Sequence, residues 1–355
     1  MKKYFIFLFV LTIVFACSPK NIGNAESKPE PVVVAYIYNF NGIPDPTYIT
    51  HFNYAFGHVN DEFKGVRINN EDNLRSVAGL KQQKPKLKVL ISIGGWGSGR
   101  FSEMAADETN RKSFAADCKR VIDQFNLDGI DIDWEYPTQN AGGKISASPD
   151  DTDNFTLLCR DIRQAIGDNK LLTFASSASA RYVDWKAAVP YLDFINIMTY
   201  DMENKTPGAF PWHQAGLYRS EYTWGNFSCE ESVNAHIEGG VPPEKLVLGI
   251  PMGGRGLVRG ARFSSAHLQE GYTQQWDDVA KASWLSDKDG NYVQTFECPR
   301  SIAHKCEFLH RKGMLGAMYW SYAGDDTGVL RKAVYDGVMG INDWSWFKYV
   351  IYRFE

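Results

Sequence analysis

A closed (β/α)8 barrel is the fold class that the chain predicts, on three observations. Eight apolar or β-branched runs recur along it, helix-like segments separate most of them, and the fourth run alternates acidic with apolar side chains. With 355 residues, 44% of them hydrophobic and 14% aromatic, the chain can bury a large core. That length suits one barrel or two smaller domains, and the count of eight runs points to the barrel.

The runs are Val32 to Tyr38, His51 to Phe56, Lys88 to Gly94, Gly129 to Glu135, Leu171 to Ser176, Phe194 to Tyr200, Lys245 to Ile250 and Gly316 to Ser321. Between them, Asp107 opens an amphipathic segment that ends at Phe125. Asp153 likewise stands ahead of Phe155, Leu158, Ile162 and Ile166 at helical spacing. Pro242 and Pro243 deliver the seventh run, and Pro251 closes it. The expected organisation is a (β/α)8 TIM barrel over residues 31–339, with a short insertion between strands 7 and 8.

The fourth run, Asp128-Gly-Ile-Asp-Ile-Asp-Trp-Glu135, places four acids within eight residues. In a strand, Asp131, Asp133 and Glu135 share one face and Ile130, Ile132 and Trp134 the other. Carboxylates roughly 6–7 Å apart repel one another, and burial disfavours their charged forms, so some hold protons near neutral pH. A protonated carboxyl in a cleft is a general acid. Clustered acids also suit calcium or magnesium, but such loops use irregular backbone and carbonyl ligands, whereas this alternation is regular and ends at Pro137. No metal and no cofactor are expected.

Barrel chemistry collects at the carboxyl ends of the strands. Ser92, Gly94, Gly95 and Trp96 end the third run, Asp131 to Tyr136 the fourth, Met198, Tyr200 and Asp201 the sixth, and Trp320 the eighth.

Met1-Lys2-Lys3 precedes thirteen uncharged, mostly apolar residues, Tyr4 to Ala16, which matches a bacterial secretory signal too short to span a bilayer. Val14-Phe15-Ala16-Cys17 resembles a lipoprotein cleavage box. Residues 1–16 are therefore expected to be removed, Cys17 to carry the lipid, and 17–30 to serve as a polar tether. Ser18 points to the outer membrane, periplasmic or surface-facing. The net charge is −4, or −6 once Lys2 and Lys3 are lost, so nucleic acid is not an expected partner.

Five further cysteines, Cys118, Cys159, Cys229, Cys298 and Cys306, lack metal-ligand spacing. Cys118, Cys159 and Cys306 read as buried thiols, and a Cys298–Cys306 disulfide is left open. The stretch from 340 to 355 carries six aromatic residues and is expected to pack against the barrel. A monomer is expected.

At these residues the chain resembles family 18 glycoside hydrolases, the chitinase family. SIGG at Ser92–Gly95, DGIDIDWE at Asp128–Glu135 and MTYD at Met198–Asp201 match the family's SxGG, DGxDxDxE and MxYD, and the resemblance covers roughly residues 32–338. It implies a retaining hydrolase of chitin, chito-oligosaccharides or another N-acetylglucosamine glycan, in which the substrate's own acetamido oxygen attacks and an oxazolinium ion forms. Carried over by residue, Glu135 is the general acid, Asp133 orients the acetamido group with Asp131 behind it, and Tyr200 donates to the acetamido carbonyl. Asp201 binds the distorted sugar and Trp320 forms its floor. Trp96, Tyr36 and Phe56 line neighbouring subsites, with Met198, Tyr136, Ser92, Gly94 and Gly95 beside them.

Two departures stand out. The family's P-x-Y-G-R reads Pro251-Met252-Gly253-Gly254-Arg255, so a tyrosine is lost while Arg255 is kept to reach the sugar. The segment from Gly256 to Leu315 is shorter than a full α+β insertion, which implies a more open groove and endo-type cutting. Competing readings are an endo-β-N-acetylglucosaminidase acting on the chitobiose core of N-glycans, and a chitin-binding lectin that has lost catalysis. The intact Glu135 argues against the lectin.

Overall fold

The computed structural model describes residues 29–40, 42–203, 212–225, 227–256 and 271–341. The proposed leader, Cys17, most of the tether and nearly all of the 340–355 tail lie outside these residues.

In chain order the strands are β1 (Val32–Ile37), β2 (His51–Val59), β3 (Val66–Ile68), β4 (Lys88–Gly94), β5 (Gly129–Asp133), β6 (Leu171–Ser177), β7 (Phe194–Met198) and β8 (Leu246–Pro251). They continue with β9 (Arg255–Gly256), β10 (Thr273–Asp277), β11 (Ala282–Ser286), β12 (Tyr292–Phe296) and β13 (Gly316–Trp320). Eight of them run parallel in the order β1-β13-β8-β7-β6-β5-β4-β2, and β1 also pairs with β2, which closes the barrel. The eight predicted runs are these eight strands. β3 adds antiparallel to β2, and β9 to β12 form a separate antiparallel sheet in the 7–8 insertion, of which 257–270 lies outside the described residues.

Alternation along each strand divides the apolar residues between two clusters. Val32, Val34, Tyr36, Ala175, Phe194, Val247 and Met318 fill the barrel, while Ile130, Ile132 and Trp134 join the larger cluster beneath the helices. Trp134 stacks on Phe101 with centroids 5.3 Å apart, and Phe155 packs at its edge at 6.4 Å. Such aromatic pairs contribute about 0.5–1.5 kcal/mol each beyond the area they bury. They anchor the outer face of β5, so its acids are held toward the barrel interior.

Asp128 turns the other way. At the amino end of β5 it accepts from Val89 N (2.9 Å) and pairs with Lys81 Nζ (3.0 Å), far from the mouth. The first acid of the cluster is thus a clasp between β4 and β5.

Helix Glu108–Phe125 begins as expected, with the Asp107 side chain accepting from Asn110 N at 2.8 Å. The next starts earlier than Asp153 implied: it spans Asp151–Ile166. Its buried Asp151 carboxylate accepts from Ser102 Oγ, Ser148 N and Thr138 N, which fixes the loop after β5. All five described cysteines are free and buried. Cys298 and Cys306 are not bridged, because Cys298 caps helix Pro299–Lys312 and eight helical residues separate them by about 12 Å, twice the usual disulfide span.

Candidate active site

Asp131 lies at the centre of the barrel with no exposed surface. Its Oδ2 accepts from Tyr36 OH (2.8 Å) and Ser92 Oγ (2.7 Å), and its Oδ1 from Thr173 Oγ1 (2.5 Å) and Asn196 Nδ2 (3.4 Å). Those donors stand on β1, β4, β6 and β7, so one carboxylate ties five strands together. Burial pushes its pKa up to about 6 although all four donors pull it down.

Asp133, one pleat nearer the mouth, is buried and its Oδ1 has no hydrogen-bond partner. Desolvation, then the charges of Glu135 and Asp131, hold its carboxyl well above the usual range. Its protonated form is thereby favoured. Glu135 follows beyond the strand end and is half-buried at the cavity wall. Burial above all pushes the Tyr200 phenol well above its usual range, so it remains a donor at working pH values.

These groups border a cavity of about 720 Å³ at the carboxyl ends of the strands. Of the residues singled out from sequence, Glu135, Asp133, Tyr200, Asp201, Trp320, Met198, Trp96, Tyr36, Phe56, Tyr136 and Arg255 line it together. Trp320, Tyr38 and Phe56 form a three-ring cluster, with Trp320 stacked 5.7 Å from each of the other two and those two 5.8 Å apart, which gives the floor an apolar surface. Three non-proline peptide bonds are cis: Ala55–Phe56 within β2, Glu135–Tyr136 just past β5, and Trp320–Ser321 at the end of β13.

Several expected contacts are otherwise arranged. Ser92 is fully buried and spends its hydroxyl on Asp131, so it holds the acid and does not face a ligand. Gly94 and Gly95 are packing positions: a Cβ on Gly94 would lie 2.0 Å from the Asp133 carbonyl oxygen, and one on Gly95 would lie 2.8 Å from the Phe56 ring. Both line the adjoining cavity instead. Arg255 pairs with Asp201 at 2.6 Å and approaches Glu203 at 3.7 Å, so these two site residues neutralise each other at the rim. Gly253, where the family has tyrosine, uses its carbonyl to accept from Gln214 Nε2 at 2.9 Å.

Sequence reasoning missed Thr173 and Asn196. The available signal was a polar residue in the middle of an otherwise apolar strand, Leu-Leu-Thr-Phe and Phe-Ile-Asn-Ile, on the same face as the acids. It also missed Tyr182, which stacks on Tyr136 at 5.3 Å, and Trp224 and Phe227 on the opposite wall.

Among the described residues no group of three or more His, Cys, Asp or Glu side chains is placed to hold a metal. The arrangement can donate a proton from a carboxyl, hold a carbonyl through Tyr200, and seat a flat apolar ring face on Trp320.

A carbon-13 NMR titration of Asp131 is expected to give a midpoint near pH 6. In Thr173→Val, loss of a donor to the charged form moves that midpoint upward by about one unit or more, since a charge-assisted hydrogen bond contributes about 1.5–3 kcal/mol. A midpoint near 4 in either protein contradicts the buried network.

Comparison with known proteins agrees with this geometry. The model of the glycosyl hydrolases family 18 matches residues 27–325. Chitinase A1 of Niallia circulans is 28% identical over 93% of this chain, which spans 62% of that relative's length. Probable chitinase 2 of Drosophila melanogaster is 30% identical, with 85% of this chain and 70% of the relative covered. Among solved structures, a family 18 N-acetylglucosaminidase from Paenibacillus barengoltzii superposes with a TM-score of 0.79 at 32% identity, covering 87% of this chain and all of that one. The chain belongs to the glycosyl hydrolases family 18.

Proposed function

We propose that the protein is a retaining glycoside hydrolase that cleaves β-1,4 bonds of chitin or chito-oligosaccharides through the substrate's acetamido group. The observation that carries this reading is how the carboxylates of the cleft are divided. Among the described residues three line it: Asp201 is paired with Arg255, Asp133 is buried with its carboxyl held well above the usual range, and Glu135 is half-open at the wall. Neither Asp201 nor Asp133 is thereby suited to act as an enzyme nucleophile beside Glu135, and intramolecular attack by the acetamido oxygen supplies one.

In this reading Glu135 protonates the departing glycosidic oxygen. Asp133 orients the acetamido group while Tyr200 donates to its carbonyl oxygen, holding it in line with the anomeric carbon. Burial, then the charges of Glu135 and Asp131, favour the protonated form of Asp133. Water activated by Glu135 then opens the oxazolinium ion with net retention. Similarity to proteins named chitinases and to a family 18 N-acetylglucosaminidase supports the substrate class. The Asp201–Arg255 pair at the rim supports recognition of a neutral sugar at the cleavage site.

We further infer export with removal of residues 1–16 and a lipid anchor at Cys17, through which the tether holds the barrel at the outer membrane. The lipobox-like Val14–Cys17 supports this. A Cys17→Ser protein is expected to leave the membrane fraction, whereas retention there contradicts the anchor.

Product analysis by mass spectrometry, with chitohexaose and a high-mannose glycoprotein supplied separately, tests the substrate. Short chitin oligomers from the first alone are expected; glycan release from the second, leaving one N-acetylglucosamine on asparagine, moves the reading to an N-glycan endoglycosidase. Glu135→Gln is expected to bind chitohexaose and to lose about 10²–10⁴ in kcat. Undiminished turnover by that variant contradicts the mechanism, and silence of the unaltered protein on both substrates favours the lectin.

A further inference from the structure

A second cavity, of about 520 Å³, opens beside the first and shares three of its walls, Tyr38, Phe56 and Trp96. Its chemistry is different. The catalytic cavity mixes three carboxyl groups, Asp133, Glu135 and Asp201, with two guanidinium groups, Arg181 and Arg255, whereas no carboxylate lines the second; two guanidinium groups, Arg67 and Arg100, and the His58 imidazole do. The basic residues come from adjoining elements: His58 near the end of β2, Arg67 on β3, and Arg100 on the loop after β4.

Each basic side chain is oriented. Arg67 Nη1 donates to Asn69 Oδ1 (2.5 Å), Arg100 Nη2 pairs with Asp61 (2.7 Å) outside the lining, and His58 Nδ1 lies 2.9 Å from Ser98 Oγ. Arg100 sits in the left-handed region, φ 74°, a conformation that a non-glycine residue adopts at a cost and that clusters at ligand sites. Among the described residues Asp61 offsets one of the two guanidinium charges, while burial and then the two arginines lower the His58 pKa and favour its neutral imidazole; guanidinium forks match the planar geometry of carboxylate and sulfate. Between the two cavities stands Trp96, 58% exposed, with the Lys144 ammonium 5.6 Å from its ring centroid, an aromatic ridge along which a glycan chain can pass from one to the other.

We propose that this side cavity binds an anionic group, a carboxylate or a sulfate ester, carried by a sugar adjacent to the one being cleaved. The enzyme then prefers acidic N-acetylhexosamine glycans to neutral chitin. This specificity rests on the reading of the main cleft given above. A neutral sugar is required at the acid cluster and a charged one is welcomed a short distance away, so placement of charge along the chain decides where the bond is cut.

The Glu135→Gln protein, which holds substrate without consuming it, separates the two claims. Its affinity is measured by calorimetry for neutral, 6-O-sulfated and 6-O-carboxymethylated chitopentaose at low and high salt. One or both anionic oligomers are expected to bind about tenfold more tightly than the neutral one at low salt, the range for two partly exposed ion pairs. Which of them does so identifies sulfate or carboxylate as the group. The preference is expected to vanish at high salt, and to vanish or reverse when Arg67→Glu is added. Equal affinities for all three oligomers, or a preference that survives Arg67→Glu, overturns the anion site. Failure of the neutral pentaose to bind at all overturns instead the reading of the cleft.

Discussion

Asp131 is a carboxylate without exposed surface, and donors from four other barrel strands converge on it. A lone charge taken from water into an apolar interior is strongly unfavourable, and hydrogen bonds to the charged form are what make it tolerable. Here the two effects nearly balance, which leaves the group titrating near pH 6. The rest of the site hangs on that balance. Asp131 fixes Tyr36, whose ring meets Trp320 at 6.1 Å, and its charge helps keep the proton on Asp133. The same hydrogen bonds cross-link five strands of the barrel, so the polar core that serves chemistry also holds the strand ends in register.

The mouth is built from aromatic rings packed on that core. Trp320, Tyr38 and Phe56 stack into a continuous apolar floor, and Gly95 permits the approach of Phe56 because any side chain there would collide with its ring. Charges are then distributed unevenly across Trp96, with carboxyl groups and guanidinium groups mixed on one side and guanidinium groups without a lining carboxylate on the other. Long-range electrostatics of this kind select among substrates more than they stabilise the fold.

The barrel was legible because parallel strands covered on both faces read as apolar runs, and because helix spacing between them was unambiguous. Glu135, Asp133 and Tyr200 were legible because acids and a phenol at strand ends have few structural uses. The other half of the site was not. Thr173 and Asn196 are ordinary polar residues whose meaning depends on register with Asp131, a property of closure and not of spacing. Ser92 belonged to a motif suggestive of ligand contact, yet its inward direction places it under the acid. Arg255 and Asp201 lie far apart in sequence, and only folding reveals that they neutralise each other. The start of helix Asp151–Ile166 was displaced because Asp150, Asp151 and Asp153 all suit a first turn.

Proton NMR of the first product released from a chito-oligosaccharide tests the central claim, that a buried, proton-sharing acid set drives attack by the substrate's own acetamido oxygen. Two displacements at the anomeric carbon restore its configuration, so the new reducing end is expected to appear first as the β-anomer and to mutarotate afterwards. An initial α-anomer requires a single direct displacement by water and contradicts the account.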